Sequence, residues 1–148
     1  VCLGANILMV SPLAPQSHEN VFNSVAKLLV SNGHKVTMVL PGWARVEGVT
    51  YISTKNLTDR VKSKYFSKAI ETFFHESGSL SQITVMVMVA LKMERDLSEM
   101  CLQDVKVSGL FSFPRRTFDL VITNARANLC VLPLAHLQNV PLIQLSPT

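Results

Sequence analysis

No stretch of this 148-residue chain is long and apolar enough to cross a bilayer. The longest apolar-rich run, Ile83 to Met93, is broken by Thr84 and Lys92. It falls well short of the roughly 20 residues a spanning helix needs, so it reads as a buried helix segment. Cysteine is scarce as well. Cys2, Cys101 and Cys130 form no Cys-x-x-Cys pair and no zinc-ligand spacing, and no His/Glu metal motif occurs, so no metal is expected. Buried inert thiols are the default reading for Cys101 and Cys130, and their spacing leaves open whether they pair. The net charge of +4 is modest. Its basic residues (Lys62 and Lys64, Arg115 and Arg116) are scattered without interleaved aromatics and read as a solvated face, so nucleic acid is not an expected partner. Glycine is absent between Val10 and His18. That argues against a dinucleotide fingerprint and a P-loop, both of which bring backbone close to phosphate. Nor is there a Gly-x-Ser-x-Gly nucleophile elbow, an internal repeat, a low-complexity tract or a linker. One domain over 1–148 is expected, and its 48% apolar content is ordinary for a globular chain with a sizeable core.

What is present has an alternating βα rhythm. Asn6 to Val10 is a short apolar run with β character, broken by Ser11-Pro12-Leu13-Ala14-Pro15-Gln16-Ser17. His18 opens a helical pattern that stops at Asn32-Gly33-His34, and a second β-type run follows over Lys35 to Leu40. Val49 to Ser53 reads as a third strand. A helix is expected from Asp59, with Val61, Tyr65, Phe66, Ala69, Ile70, Phe73 and Phe74 at helical spacing. Ser77-Gly78-Ser79 breaks it before a second helix over Leu80 to Gln103. Residues 107–117 read as loop, followed by a strand over Leu120–Thr123, a helix over Asn128–Leu137 and a strand over Leu142–Leu145. Strands alternating with helices predict an α/β fold, a Rossmann-like parallel sheet flanked by helices. In such sheets ligands bind outside the carboxyl ends of the strands, which is where His18 falls. Capping or surface placement is the other reading of a lone histidine there.

Ala5-Asn6-Ile7-Leu8, Pro12, Ser17-His18 and Gly33-His34-Lys35-Val36-Thr37 resemble the opening of animal UDP-glycosyltransferases, including the insect and baculovirus ecdysteroid branch. Phe118 to Asn124, and Val140 to Ser146, fit the same family about one hundred residues further on. The resemblance covers both ends of the chain well and its middle in outline. It implies the amino-terminal, acceptor-binding half of a two-domain GT-B transferase. A UDP-sugar would then be the co-substrate, with no other cofactor, held by a carboxy-terminal half outside this sequence. A small lipophilic acceptor is the implied partner. The implied location is the lumen of the endoplasmic reticulum, through a membrane anchor also outside this sequence, or the exterior for the viral branch. Val1-Cys2-Leu3-Gly4 has the look of a signal-peptide end. Asn56-Leu57-Thr58 is a glycosylation sequon that agrees with this route, although such tripeptides are common by chance.

The family's chemistry takes a proton from the acceptor hydroxyl as its oxygen attacks the anomeric carbon with inversion. An imidazole, titrating near neutrality, suits that base. By the resemblance His18 matches the base, and the position of its supporting carboxylate falls on Asn124, where the family has Asp or Glu. Asn accepts a hydrogen bond but carries no charge to balance an imidazolium. In a serine protease the corresponding change from Asp to Asn lowers kcat by about 10⁴, a scale only, since the reaction differs. Asp119 does not replace it: five strand steps of roughly 3.3 Å put it about 16 Å from position 124. Glu19 follows His18 directly, and adjacent helical residues point about 100° apart. Ser17, Phe66, Phe73, Met86 and Met88 are the candidate acceptor contacts. The aromatic and thioether residues among them have a second reading as core between helix and sheet. A relative that binds lipophilic ligands without efficient turnover is the alternative to an enzyme.

Overall fold

The computed structural model describes residues 4–42, 44–61, 63, 79–107, 109–125 and 129–146. Five strands, β1 (Asn6–Val10), β2 (Lys35–Leu40), β3 (Val49–Ser53), β4 (Leu120–Asn124) and β5 (Leu142–Leu145), make one sheet. All pairings are parallel, and the order is β3-β2-β1-β4-β5. The expected α/β class and parallel sheet are therefore observed, with each expected strand within one residue of its place. Parallel strands covered on both faces read as continuous apolar runs, which is why Ile7–Val10 and Val121–Thr123 are legible as strands.

The pleat sends alternate residues into two separate cores. Ile7 and Met9 join Phe22 and Ala26 of α1 (Gln16–Ser31) and Val36, Met38 and Ile122 of the sheet. Leu8 and Val10 face the other way, toward Leu57, Cys101, Val121, Val131 and Leu134. That second face is covered by α2, which opens at 55–61, by α3 (Ser79–Val107) and by α4 (Leu132–Gln138). Phe22 is fully buried, which contributes about 1.5–3 kcal/mol.

α1 ends in a Schellman arrangement. The Gly33 amide bonds the Val30 carbonyl and the His34 amide bonds Leu29, at 2.9 and 3.1 Å. Gly33 adopts φ +83°, a conformation that favours glycine, so Asn32-Gly33-His34 is a physical stop. α4 closes the same way with Asn139 (φ +55°) in glycine's place.

Four expectations shift. α1 opens at Gln16, two residues ahead of His18, with the Glu19 amide on Pro15 O. α2 begins at residue 55, ahead of Asp59, because the turn is anchored through Thr54: its carbonyl accepts the Thr58 amide, and its hydroxyl donates to Pro12 O at 2.8 Å. α3 runs to Val107, past Gln103. The segment expected to be helical from Asn128 starts as a 3₁₀ turn at Leu129–Val131 before α4. The helical pattern of Phe66, Phe73 and their neighbours lies outside the described residues. The thiol reading of the cysteines is overturned: Cys101 and Cys130 form a disulfide, with Cα atoms 6.0 Å apart, between α3 and the 3₁₀ turn after β4. Among the described residues no helix is long and apolar enough to cross a membrane.

Candidate functional site

β1 is the central strand, with β2 on one side and β4 on the other, so the chain runs outward from β1 through β2 to β3 and then crosses back to β4 on the far side. That strand order creates a crevice between the carboxyl ends of β1 and β4, the topological switch point where open α/β sheets hold ligands. Two side-chain and backbone ties set its floor. Thr123 Oγ1 donates to Val10 O at 2.9 Å, and the Ser11 amide carries the β1–β2 ladder one step past the strand to Val39 O. The chain then turns over Pro12 and Leu13, with the Ala14 amide on Ser11 O, and enters α1.

His18 is the third residue of α1 and is half-buried. Asn124 closes β4 and is buried, 3% exposed. Asn124 Nδ2 lies 2.8 Å from His18 Nδ1 across 106 residues of sequence. The two positions that the resemblance pairs are thus in direct contact.

The chemistry of that contact follows from its atoms. Which tautomer the ring holds follows the orientation of the amide: with Nδ2 toward the ring, Nδ1 accepts and the proton of a neutral ring sits on Nε2. In this orientation the nitrogen left for a ligand is a hydrogen-bond donor. Turning the Asn124 amide by half a turn would present Oδ1 to an Nδ1–H and free the Nε2 lone pair to take a proton. A carboxylate has no such choice: both its oxygens accept, and it fixes the Nδ1–H form.

The other carboxylates are engaged elsewhere. Glu19 is fully buried, and its Oε1 accepts the Ala44 amide at 3.3 Å. Asp119 Oδ2 accepts the Asn6 amide at 2.7 Å, at the opposite, amino-terminal edge of the sheet. Both observations agree with the reading that neither residue serves His18.

Ser17 is exposed in the first turn of α1, one residue before His18. Met88 is 66% exposed on α3, beside exposed Val87 and Leu91, and no described contact joins it to the His18–Asn124 pair. Met86 lies on α3 with its side chain outside the description, and Phe66 and Phe73 lie outside the described residues altogether. Asn56 is exposed in the first turn of α2, whereas Leu57 and Thr58 of the sequon are buried. A cavity of about 380 Å³ sits at the amino-terminal edge of the sheet, lined by Asn6, His34, Lys35, Phe113 and Phe118 among others, away from the pair. Among the described residues no cluster of His, Cys, Asp and Glu is fit to hold a metal ion.

Ser11 was not singled out in the sequence. Its hydroxyl is fully buried at the end of β1 with no hydrogen-bond partner among the described residues, an arrangement that costs about 1–3 kcal/mol. A serine that ends an apolar run signals only a strand end, so the chain carried no earlier sign of it.

Compared with known family models, curated proteins and solved structures, the chain matches none.

Proposed function

We propose that these residues are the acceptor-binding half of a GT-B UDP-hexosyltransferase acting on small lipophilic molecules. The single observation that carries this reading is the 2.8 Å contact of His18 with Asn124, in the crevice between β1 and β4. A strand-end side chain holds one ring nitrogen, so the other can meet an acceptor. In the reaction the acceptor oxygen attacks the anomeric carbon of a UDP-sugar, the bond from that carbon to the UDP oxygen breaks with inversion, and UDP leaves. The acceptor proton passes to His18 Nε2, which requires the Asn124 amide to turn its Oδ1 toward Nδ1. The UDP-sugar is bound by residues beyond these 148, and lumenal, membrane-anchored residence belongs to the same reading.

A second reading, a binder of lipophilic ligands with little turnover, is favoured by the partner itself: Asn124 is a buried amide and carries no charge to balance an imidazolium. The test is an assay of the complete natural polypeptide that carries this sequence, with radiolabelled UDP-hexoses and a panel of phenols and steroids. Labelled glycoside that disappears in His18→Ala supports the transferase. Binding of the panel without transfer supports the binder, and transfer untouched by His18→Ala rejects His18 as base.

A further inference from the structure

We propose that the cavity at the amino-terminal edge of the sheet is a binding site for a small aromatic anion, separate from the crevice between β1 and β4. The inference does not rest on the transferase reading.

The floor of the cavity follows from the pleat. Alternate residues share a face, so Asn6 lies on the side of Leu8, Lys35 and Thr37 on the side of Val39, and Thr50 on the side of Ile52. That is the face of the Leu8 core. A parallel sheet covered by helices is ordinarily apolar there, yet these four polar residues interrupt it at one end, and all four line the cavity. Among the described residues none of the four makes a side-chain hydrogen bond or an ion pair.

The wall comes from the segment before β4. Phe113 and Phe118 both line the cavity and meet edge to face, with ring centres 5.2 Å apart. Gln138 of α4 fixes this segment. Its side chain is buried, 2% exposed, and both ends of its amide are used: Oε1 accepts the Thr117 amide at 3.1 Å, and Nε2 donates to Phe113 O at 3.4 Å. Solvent alone accounts for polar side chains at a sheet edge. A fixed aromatic wall facing them across about 380 Å³ is the make-up of a small-molecule site, apolar surface with a few convergent polar groups.

Charge selects the ligand. Lys35 lines the cavity and no carboxylate does. His34, also in the lining, accepts the Ala5 amide on Nδ1 at 3.1 Å; a backbone amide only donates, so Nε2 is left as an N–H donor. Arg115 and Arg116 are exposed just before Thr117. Of the acids at this edge, Asp119 is held by the Asn6 amide at 2.7 Å, and Glu47 is exposed in the loop before Gly48. An ammonium, an imidazole N–H and hydroxyls suit an anionic group, and the phenylalanine rings suit an aromatic body.

The test titrates the complete natural polypeptide that carries this sequence with 1-naphthoate and with the neutral 1-naphthamide, by calorimetry. Naphthoate is expected to bind with Kd below about 1 mM, and the amide at least about tenfold more weakly. Lys35→Gln and Phe113→Leu should each weaken naphthoate at least about fivefold. His18→Ala, in the crevice, should leave it within about twofold. Lys35 is exposed, so its replacement is expected to leave the unfolding midpoint unchanged. If Phe113→Leu does not fold, Lys35→Gln and the acid-to-amide ratio decide. Four results would overturn the proposal: no naphthoate binding up to about 10 mM, equal affinity for acid and amide, affinity unchanged in Lys35→Gln or in folded Phe113→Leu, or binding lost in His18→Ala, which would put the ligand in the crevice. None of them decides whether the protein transfers sugar.

Discussion

Cys101 and Cys130 are joined across 29 residues of sequence, fixing α3 to the 3₁₀ turn that follows the Asn124 strand. Closing a loop of that size removes unfolded-state entropy equivalent to about 3–4 kcal/mol on the chain-entropy model. Both cysteines are buried in the core with Leu8, Val121 and Leu134. Replacing both with alanine should lower stability by roughly that amount, read from urea unfolding. Adding reductant should lower the natural protein's midpoint and leave that of the double variant unmoved. A midpoint unchanged by reductant in the natural protein would show that the bridge is not formed in solution.

Glu19, in the first turn of α1, is fully buried. Its work is on the β2–β3 crossover, the eight residues 41–48 that join two parallel strands. Glu19 takes the Ala44 amide, and Tyr51 Oη accepts the Val46 amide at 2.7 Å and donates to Asn23 Oδ1. Glu19 and Asn23 are one helical turn apart on α1, so one face of the helix holds the loop. Glu19→Ala removes this tie, and because Ala44 is exposed its amide can turn to water, so the cost in denaturant unfolding should be about 0.5–1.5 kcal/mol. Any glycosyl transfer should survive in the protein that remains folded. Loss of turnover without loss of stability would point to a catalytic carboxylate at position 19.

β1 and β2 were legible because each is a short run rich in apolar residues that stops at Ser11 or at Pro41-Gly42, and β4 because Leu120-Val121-Ile122 is continuously apolar. The α1 stop was legible because Gly33 fills a position with positive φ. The start of α2 was not, because residues 55–58 lack apolar periodicity and are secured by Thr54, whose hydroxyl reaches back 42 residues to Pro12. The disulfide was hidden for a similar reason, since only the folded chain brings position 101 beside position 130. At the site, His18 and Asn124 were named from the two ends of the chain. What no local pattern contained is the strand order that makes β1 and β4 neighbours.

Asn56 is exposed at the start of α2, while its sequon partners turn inward: Leu57 is fully buried, and the Thr58 hydroxyl lies 3.4 Å from Thr54 O. A glycan on Asn56 therefore projects into solvent and displaces nothing from the core. Protein recovered from a secretory host should shift in gel mobility on endoglycosidase digestion, and Asn56→Gln should abolish the shift with unfolding unchanged. No shift for lumenal protein would remove Asn56 as a modification site.

The His18–Asn124 contact can be tested as a coupled unit. His18→Ala should lower kcat by roughly 10²–10⁴, the ordinary contribution of a positioned base, with little effect on folding because the ring is half-buried at a helix start. Asn124→Asp should raise kcat at least about tenfold, near 1.4 kcal/mol of barrier, with acceptor affinity little changed. The decisive measurement is the double variant. If the carboxylate acts through the ring it touches, as the 2.8 Å contact implies, the gain must vanish when His18 is alanine. A tenfold gain that persists without the imidazole would mean the new carboxylate removes the proton itself. His18 would then be a contact residue of the crevice, and the base would lie at the end of β4.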